Sequence, residues 1–241
     1  MKTQNVFKGR AIGVVMIMTF FICTNCSKNQ SQAYTTLQQA AGMGDSRGVE
    51  RFLKQGTDVN DKDLQGWTPL HWAVAGREKD IIKLLIAKGA EVNAGGREGI
   101  SPLDCAASQG FMDIADLLIA KGALVNYKDV HDLTPLHYAA RMAGLQGMFE
   151  IVIGGEINYG GLAELLIAKG ANINAKSAVG FTPLTEAAAA GNMAVATLLI
   201  EKGADIKVRC NFGRTPLHLA AQMGHRDVAE ALIAKGADIN D

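Results

Sequence analysis

Three histidines, His71, His137 and His218, have the type of side chain that could bind a metal or transfer a proton near neutral pH. Each is the fourth residue of a similar tetrapeptide, and a histidine at a fixed place in a repeated motif is expected to hydrogen-bond backbone. The other two, His131 and His225, have no Cys, His or Asp nearby at ligand spacing. The sequence therefore predicts no metal site and no catalytic histidine.

The remaining motifs of enzyme chemistry are also missing. The segment 42–48 contains three glycines, but their spacing does not match a dinucleotide-binding loop and no strand precedes it. No nucleophile elbow, phosphate-binding loop or pair of carboxylates is present. The sequence predicts a protein without a cofactor that is not an enzyme.

The histidines lead to the strongest feature of the chain, which is a repeat. The tetrapeptides begin 33, 33, 48 and 33 residues apart, at Thr68, Ser101, Thr134, Thr182 and Thr215. A second landmark has the same period and the same interruption, at Gly56, Gly89, Gly122, Gly170, Gly203 and Gly236. A degraded copy without proline begins at Thr35, so the chain holds six repeats of 33 residues with one insertion of 15.

Each repeat is predicted to contain two short helices. Threonine before proline is typical of a helix start, since threonine caps a free N–H group and proline suits the first helical position. Apolar residues at helical spacing follow in a second segment, as at Ile81, Leu84 and Leu85, and Gly89 then permits the left-handed turn that ends it. One such unit cannot bury its own apolar face, so neighbouring repeats must stack.

These residues resemble the ankyrin repeat family over residues 35–241. The Gly-Ala pairs after the second helix fit the family pattern, as do Asn60, Asn93, Asn126, Asn174 and Asn240. The chain departs from the pattern at Asp104 and Thr185 in place of His, Asp132 in place of a glycine, and Lys207 in place of Asn. The resemblance implies an all-α solenoid of six helix–turn–helix repeats, joined by short β-hairpin fingers that lie between each closing glycine and the next tetrapeptide.

The insertion is predicted at about 144–158, between the two helices of repeat four. Met142, Leu145, Phe149 and Val152 would extend the first helix by two turns, and Gly154-Gly155 would end it. Phe149, Ile151 and Ile153 also alternate, which leaves a strand open as an alternative. The segment is predicted either to fold back on neighbouring repeats or to form a second contact site for a partner or for self-association.

The first 25 residues are predicted to be a signal peptide of the lipoprotein type. Lys2, Lys8 and Arg10 precede an apolar run at 11–22, which is long enough for export but too short to span a membrane. Cys26 follows and resembles the cysteine that is lipidated in bacterial lipoproteins, with residues 26–34 as a linker. Cleavage after Ala33 and an uncleaved anchor are the alternatives. Lipidation at Cys26 implies a periplasmic protein anchored in the outer membrane, while a free N-terminus implies a secreted one.

Charge and cysteine content narrow the possible partners. The chain has 24 basic and 24 acidic residues and no basic stripe, which argues against nucleic acid. Cys105 and Cys210 lie three repeats apart, too far for a disulfide, and are predicted to be free thiols.

The surface is therefore the predicted site. The resemblance implies a concave face formed by the fingers and the exposed side of the first helices, where an apolar side chain would contact a partner. The predicted protein-binding residues are Leu64, Trp67, Ile100, Val130, Leu133, Val179, Phe181, Phe212 and Arg214. For Trp67, Ile100, Leu133 and Phe181, packing within the fingers is an equal alternative. On the helices the predicted positions include Ser108, Gln109, Arg141, Met142, Ala189, Gln222 and Met223.

The sequence favours a protein–protein interaction scaffold of the bacterial envelope, which binds a partner protein through its concave face. The alternatives are an enzyme or metal-binding protein that uses the insertion as a site loop, or a secreted effector that binds host proteins.

Overall fold

The computed structural model describes residues 34–142 and 157–240. Within these ranges the chain forms twelve α-helices and one 3₁₀ turn, Arg97–Gly99, and no strand. It separates into two compact units, which divide after Glu91. The all-α prediction is confirmed, and the described helices fall into six pairs as the period requires.

The first unit contains two helix pairs. Their bounds are α1 (Leu37–Gly42), α2 (Ser46–Lys54), α3 (Pro69–Ala75) and α4 (Lys79–Ala87). Helix α1 packs against both α2 and α3, and α3 packs against α4. The core between them is formed by small and branched side chains, including Ala40, Val49, Leu70 and Ile82, all fully buried. Small residues let the helices of neighbouring repeats approach closely, and this explains the alanines of each first helix.

The second unit contains four helix pairs. Their bounds are α5 (Pro102–Gln109), α6 (Met112–Ala120), α7 (Pro135–Arg141), α8 (Tyr159–Ala168), α9 (Pro183–Ala190), α10 (Met193–Glu201), α11 (Pro216–Met223) and α12 (Arg226–Ala234). The first helices α5, α7, α9 and α11 pack in series, and α6, α8, α10 and α12 form a second series beside them. Each repeat thus buries its apolar face against the next one, which is the stacking that the sequence requires.

The tetrapeptide forms the start of each first helix, as predicted. In α5, Oγ of Ser101 accepts a hydrogen bond from the backbone N–H of Asp104, and the Asp104 carboxylate accepts one from the Ser101 N–H, which together make a capping box. Proline occupies the first helical position. The same box is present at Thr68, Thr134, Thr182 and Thr215.

The three predicted histidines belong to these boxes. At His71, His137 and His218, Nδ1 lies 2.7–2.8 Å from Oγ1 of the capping threonine. In His137, Nδ1 also accepts from the Thr134 N–H, so Nε2 carries the proton and donates it to the carbonyl oxygen of Phe181 at 3.0 Å. The imidazole therefore links its own helix to the finger of the same repeat, and its role is structural.

The repeated asparagines also connect adjacent repeats. Asn126 donates from Nδ2 to the carbonyl of Gly170 at 2.9 Å, and its Oδ1 accepts from the N–H of Asn172 at 2.8 Å. Asn60 and Asn93 form the same pair of bonds with the residues 29 and 31 positions further on. Lys207 takes this position in repeat five, where an ammonium group cannot accept from a backbone N–H.

Of the insertion predicted at about 144–158 the structure describes Ile157 and Asn158, and on the other side it describes the chain up to Met142. Helix α7 ends at Arg141, so Met142 follows its last residue, where an extension of the helix was predicted. At the other edge Ile157 is buried, and Oδ1 of Asn158 caps α8 by accepting from the Gly161 N–H at 2.7 Å. These two residues thus belong to repeat four, and the rest of the insertion, like the predicted leader, lies outside the described residues.

Candidate functional site

The fingers are compact turns of one geometry. They precede the five tetrapeptides and are numbered one to five here. In finger one the Asp63 N–H donates to the Trp67 carbonyl at 3.0 Å, and the Gly66 N–H donates to the Asp63 carbonyl at 2.9 Å. The equivalent two bonds close the turns 96–100, 129–133, 177–181 and 210–214. The predicted hairpins are therefore tight turns, and no residue in them is assigned to a strand.

Each turn needs one residue with a left-handed backbone. Glycine fills this place at Gly66, Gly180 and Gly213, with φ of 85°, 76° and 73°. Asp132 fills it in finger three with φ of 57°, and its carboxylate pairs with Lys128 at 3.1 Å. Aspartate is one of the few other residues that adopts this conformation readily, so finger three keeps its turn without a glycine.

An aspartate holds the base of two fingers from within. In finger three, Oδ1 of Asp129 accepts from the N–H groups of His131 and Leu133 at 2.8 Å, and Oδ2 accepts from the Tyr138 hydroxyl at 2.7 Å. In finger one, Asp63 is bonded in the same way by two backbone N–H groups and by the indole N–H of Trp72. These aspartates connect the turn to the helix that follows it.

Three predicted contact residues are exposed at the tips of these turns. Leu64 is fully exposed, and Val130 and Phe212 keep 66% and 63% of their surface in solvent. Val179 and Arg214 are half-buried. In the sequence, the four apolar residues of this group lie three or four positions before the next capping residue. Arg214 directly precedes its capping residue.

Four predicted contact residues are buried, and for these the prediction of a partner contact is wrong. Trp67, Ile100, Leu133 and Phe181 expose 3%, 7%, 2% and 6% of their surface. Each directly precedes a capping Ser or Thr, and each closes its turn through the carbonyl group, which fixes the side chain in the interior. Trp67 packs edge-on against His71, with ring centroids 5.2 Å apart. Their burial favours the alternative of packing in the interior over a partner contact.

The first helices expose less than predicted. Ser108, Gln109, Met142 and Ala189 are buried, whereas Gln222 and Met223 of α11 are exposed. Arg141 and Glu186 form an ion pair of 4.0 Å with side chains exposed by only 15% and 9%. Among these predicted helix positions, the exposed ones are therefore at the end of α11.

One corner of the second unit combines apolar and cationic groups. Nη1 of Arg214 donates to Oε1 of Gln222, which ties finger five to α11. Phe212 lies two residues before Arg214, and Met223, which is 44% exposed, follows Gln222. An aromatic side chain beside a positioned guanidinium is the composition that dominates binding energy in protein interfaces.

Neighbouring fingers of the second unit are joined through their backbones. The N–H of Val130 donates to the Glu98 carbonyl at 3.1 Å, that of Ala178 to His131 at 2.9 Å, and that of Asn211 to Val179 at 3.1 Å. His131 Nε2 also lies 3.6 Å from the Glu98 carboxylate. The exposed tips of fingers two to five are thus held in one connected row.

Sequence reasoning missed the polar residues beneath this row. Asp129 and Tyr138 are nine residues apart, as are Asp63 and Trp72, so the repeated separation of an acidic and an aromatic donor could have shown the pairing. Burial and the neighbouring carboxylates of Asp129 and Asp104 raise the pKa of Tyr138. Its hydroxyl therefore stays protonated and acts as a donor.

Within residues 34–142 and 157–240, no group of three His, Cys, Asp or Glu side chains could hold a metal ion. Cys105 and Cys210 are buried free thiols, and burial raises the pKa of Cys105. Over the same ranges no helix has the length and apolar character that a membrane span requires.

Comparison with family models identifies the repeat. A model of three ankyrin repeat copies matches residues 13–96 and 156–241, which is well over half of the chain. The chain belongs to the ankyrin repeat family. Further ankyrin models match residues 76–119 and 131–178, so the family assignment also covers the middle of the chain.

Curated relatives share only short stretches with this chain. Ankyrin repeat domain-containing protein 40 of Homo sapiens is 40% identical over 50 residues, which is 20% of this chain and 14% of that protein. Protein VAPYRIN-LIKE of Medicago truncatula is 51% identical over 37 residues, which is 15% of this chain and 8% of the relative. These similarities therefore concern the repeat itself.

A solved structure is similar over most of the chain. It is a chain from the complex titled as the predatory endopeptidase Bd0816 of Bdellovibrio bacteriovorus with the immunity protein Bd3460. The sequence identity is 30% and the TM-score 0.69, over 85% of this chain and 100% of that one.

Proposed function

We propose that this ankyrin repeat protein is a non-enzymatic scaffold of the bacterial envelope that binds a folded partner protein through its finger tips and α11. The observation that carries the proposal is the exposure of Val130 and Phe212 on turns that are each bonded through the backbone to finger four. Ankyrin repeats support a role in protein–protein interaction. The location in the envelope, the class of partner and the lipid anchor are proposed on separate grounds.

The apolar tips favour a partner over solvent. Turn tips are commonly polar, and large side chains exposed there gain stability only when a second surface covers them. Covering an aromatic side chain contributes on the order of 1–3 kcal/mol, and a few such anchors can account for most of the affinity of an interface. Because the fingers are ordered before binding, little conformational entropy is lost in the complex.

The corner at finger five indicates what kind of surface the partner presents. The Arg214 guanidinium is held by Gln222, and the exposed Phe212 and Met223 lie two residues before Arg214 and directly after Gln222 in the sequence. A planar guanidinium fixed in this way suits a carboxylate, and the flanking side chains suit an apolar surface around it. The partner is thus expected to place an Asp or Glu within an apolar patch.

The solved relative suggests which class of partner this is. Its complex is named for an endopeptidase and an immunity protein, and the matching chain is covered over its whole length by this one. By this likeness, the partner is proposed to be a peptidase of the cell envelope, whose activity the scaffold restrains in the cell that produces both proteins. Capture of a host protein would instead indicate a secreted effector and would replace the peptidase as the proposed partner.

Partner capture tests the binding surface. The purified chain would be used to capture proteins from the envelope fraction of the producing bacterium, and peptidase activity of that fraction would be measured with and without it. Val130→Asp and Phe212→Asp should reduce capture and restore activity by at least tenfold. Leu124→Asp is the matched control, since Leu124 is 56% exposed but lies away from the turn tips. Equal capture by all four proteins would refute the proposed surface.

The anchor is tested separately. The basic residues and apolar run of the leader, followed by Cys26, support export and lipidation. Mass spectrometry of the mature protein should show a lipidated N-terminal Cys26, and Cys26→Ala should move the protein from the membrane fraction to the soluble fraction or block its processing. An unmodified N-terminus at Tyr34 would instead indicate cleavage after Ala33 and a protein without a lipid anchor.

A further inference from the structure

Asp104 is buried in the second unit without a full set of hydrogen bonds. It lies in the first turn of α5 and has no surface in solvent. Oδ2 accepts from the N–H and the hydroxyl of Ser101, at 2.8 and 2.6 Å. Among the side chains of the described residues, Oδ1 of Asp104 is the one buried polar atom with no hydrogen-bond partner. An unpaired carboxylate oxygen in the interior is strongly unfavourable.

The equivalent position in the next repeat suggests a partner for this oxygen. Asp104 has the same place in repeat three that His137 has in repeat four, three residues after the capping residue. Nε2 of His137 donates to the carbonyl of Phe181, the last residue before the next cap. The equivalent carbonyl for Asp104 is that of Leu133, which is buried and also accepts from the Asp129 N–H. A carboxylate has no proton for this carbonyl, whereas a carboxylic acid has one.

We propose that Asp104 is a carboxylic acid in the folded protein and donates a hydrogen bond from Oδ1 to the Leu133 carbonyl, which makes the contact between α5 and finger three sensitive to pH. The acid thus substitutes for the imidazole that other repeats use. If Asp104 lost its proton, its carboxylate would place a negative charge next to the Leu133 carbonyl oxygen in the interior.

The surroundings of Asp104 favour the neutral form. Burial raises its pKa from the ordinary value of 3.8 to about 7, the hydrogen bonds from Ser101 lower it, and the charge of Asp129 raises it further. Asp129 belongs to finger three and is itself held by the Tyr138 hydroxyl of α7. The neighbouring Cys105 thiol stays neutral because burial raises its pKa.

Helix α7 also packs on α5, and its Arg141 pairs with Glu186 at 4.0 Å. Helix α6 carries Asp113 and Asp116, and Asp116 is exposed and pairs with Lys169 at 3.3 Å. At the start of α8 the Tyr159 hydroxyl donates to the Ser108 carbonyl, and burial raises its pKa. The charged neighbour that acts on Asp104 is Asp129, and it favours the neutral form.

The direction of the pH effect follows from these values. The folded protein binds the Asp104 proton more tightly than the unfolded chain does, so the stabilisation is complete below pH 3.8 and is lost as the pH rises through about 7. Relative to a protein without this carboxyl group, the equilibrium constant of unfolding should rise about thirtyfold between pH 5.5 and 8.5.

Urea unfolding of the full chain at pH 5.5, 7.0 and 8.5 tests the proposal, with Asp104→Asn and Asp104→His as variants. The amide of asparagine can donate to Leu133 and accept from Ser101, and histidine restores the residue used in repeat four. The ratio of the wild-type unfolding constant to that of Asp104→Asn should increase about thirtyfold over this range. Asp104→His should match or exceed the wild-type urea midpoint at pH 8.5.

A second measurement does not depend on a variant that folds. In wild-type protein labelled with ¹³C at aspartate carboxyl groups, the Asp104 resonance should titrate with a midpoint within about one unit of pH 7, and amide exchange at Leu133 and Thr134 should quicken above it. A midpoint near 4, or a ratio of unfolding constants that does not change with pH, would overturn the proposal.

Discussion

The hydroxyl of Tyr138 donates a 2.7 Å hydrogen bond to Oδ2 of Asp129, while Oδ1 of the same carboxylate accepts from the backbone N–H groups of His131 and Leu133. One buried carboxylate thus joins helix α7 to both sides of the turn that presents Val130. The position of finger three therefore depends on a hydrogen bond from the following helix as well as on the bonds within its own turn.

Removing the hydroxyl should loosen that finger. Tyr138→Phe leaves Oδ2 of Asp129 without its donor in a buried place, so we expect a loss of about 1–3 kcal/mol in the free energy of unfolding. Urea unfolding measures the loss, and hydrogen exchange at His131 and Leu133 shows where it acts. In an Asp129→Ala background the same change should cost less than about 0.5 kcal/mol. An equal cost in both backgrounds would show that the Tyr138 hydroxyl acts through another group.

Two residues of finger one should differ sharply although they are three positions apart. Trp67→Ala removes a buried indole that packs against His71, so a loss of about 3–5 kcal/mol is expected. Leu64→Ala is the matched control, because Leu64 is fully exposed and its truncation should change stability by no more than about 0.5 kcal/mol. Thermal and urea unfolding compare the two. Similar losses for both variants would contradict the burial described for Trp67.

A single substitution should add a missing connection between repeats. Lys207 stands where Asn60, Asn93 and Asn126 bond to a glycine carbonyl and a backbone N–H of the following repeat. Lys207→Asn should form these bonds with Gly236 and Asp238, and should raise the free energy of unfolding by about 0.5–1.5 kcal/mol. The measurement is the urea midpoint, with Lys207→Ala as the control that removes the lysine without adding an amide. Equal midpoints for the two variants would contradict this expectation.

Acid should destabilise the protein through His137. Burial lowers the pKa of this imidazole from 6.5 to about 4, so the unfolded chain binds the proton more tightly and the stabilisation, complete above pH 6.5, is lost as the pH falls towards 4. His137→Thr places at this position the residue that repeat five has naturally, Thr185. Between pH 7 and 5 the ratio of the wild-type to the variant unfolding constant should rise about twentyfold. A constant ratio over this range would show that His137 is not the responsible group.

The sequence was sufficient for those parts of the fold that recur with its period. The helix starts, the paired helices and the closing glycines each follow from residue types that recur at fixed positions, so counting residues finds them. The bonds of the repeated asparagines were seen only in the structure. The sequence showed Asp132 only as a departure from the expected glycine, and the φ of 57° in the structure shows that finger three keeps its turn.

The candidate site was predicted less well, because apolar character does not distinguish the two sides of a turn. Val130 and Leu133 are both apolar and three residues apart, yet one is at the tip and the other closes the turn from inside. That distinction is set by the bond from the Asp129 N–H to the Leu133 carbonyl, which no residue type specifies. The ion pair of Arg141 and Glu186 joins different repeats, 45 positions apart, and carries no periodic signal.

The backbone hydrogen bonds that join successive fingers from two to five have a kinetic consequence. Each tip is tied to the one before it, so a partner that displaces one finger must also break its bond to the neighbouring finger. Binding should then involve no slow rearrangement of the surface. The binding time course should follow a single exponential, and its observed rate constant should rise linearly with partner concentration. Selection of partners would in that case depend mainly on how long each complex lasts, since every surface that approaches meets the same row of tips.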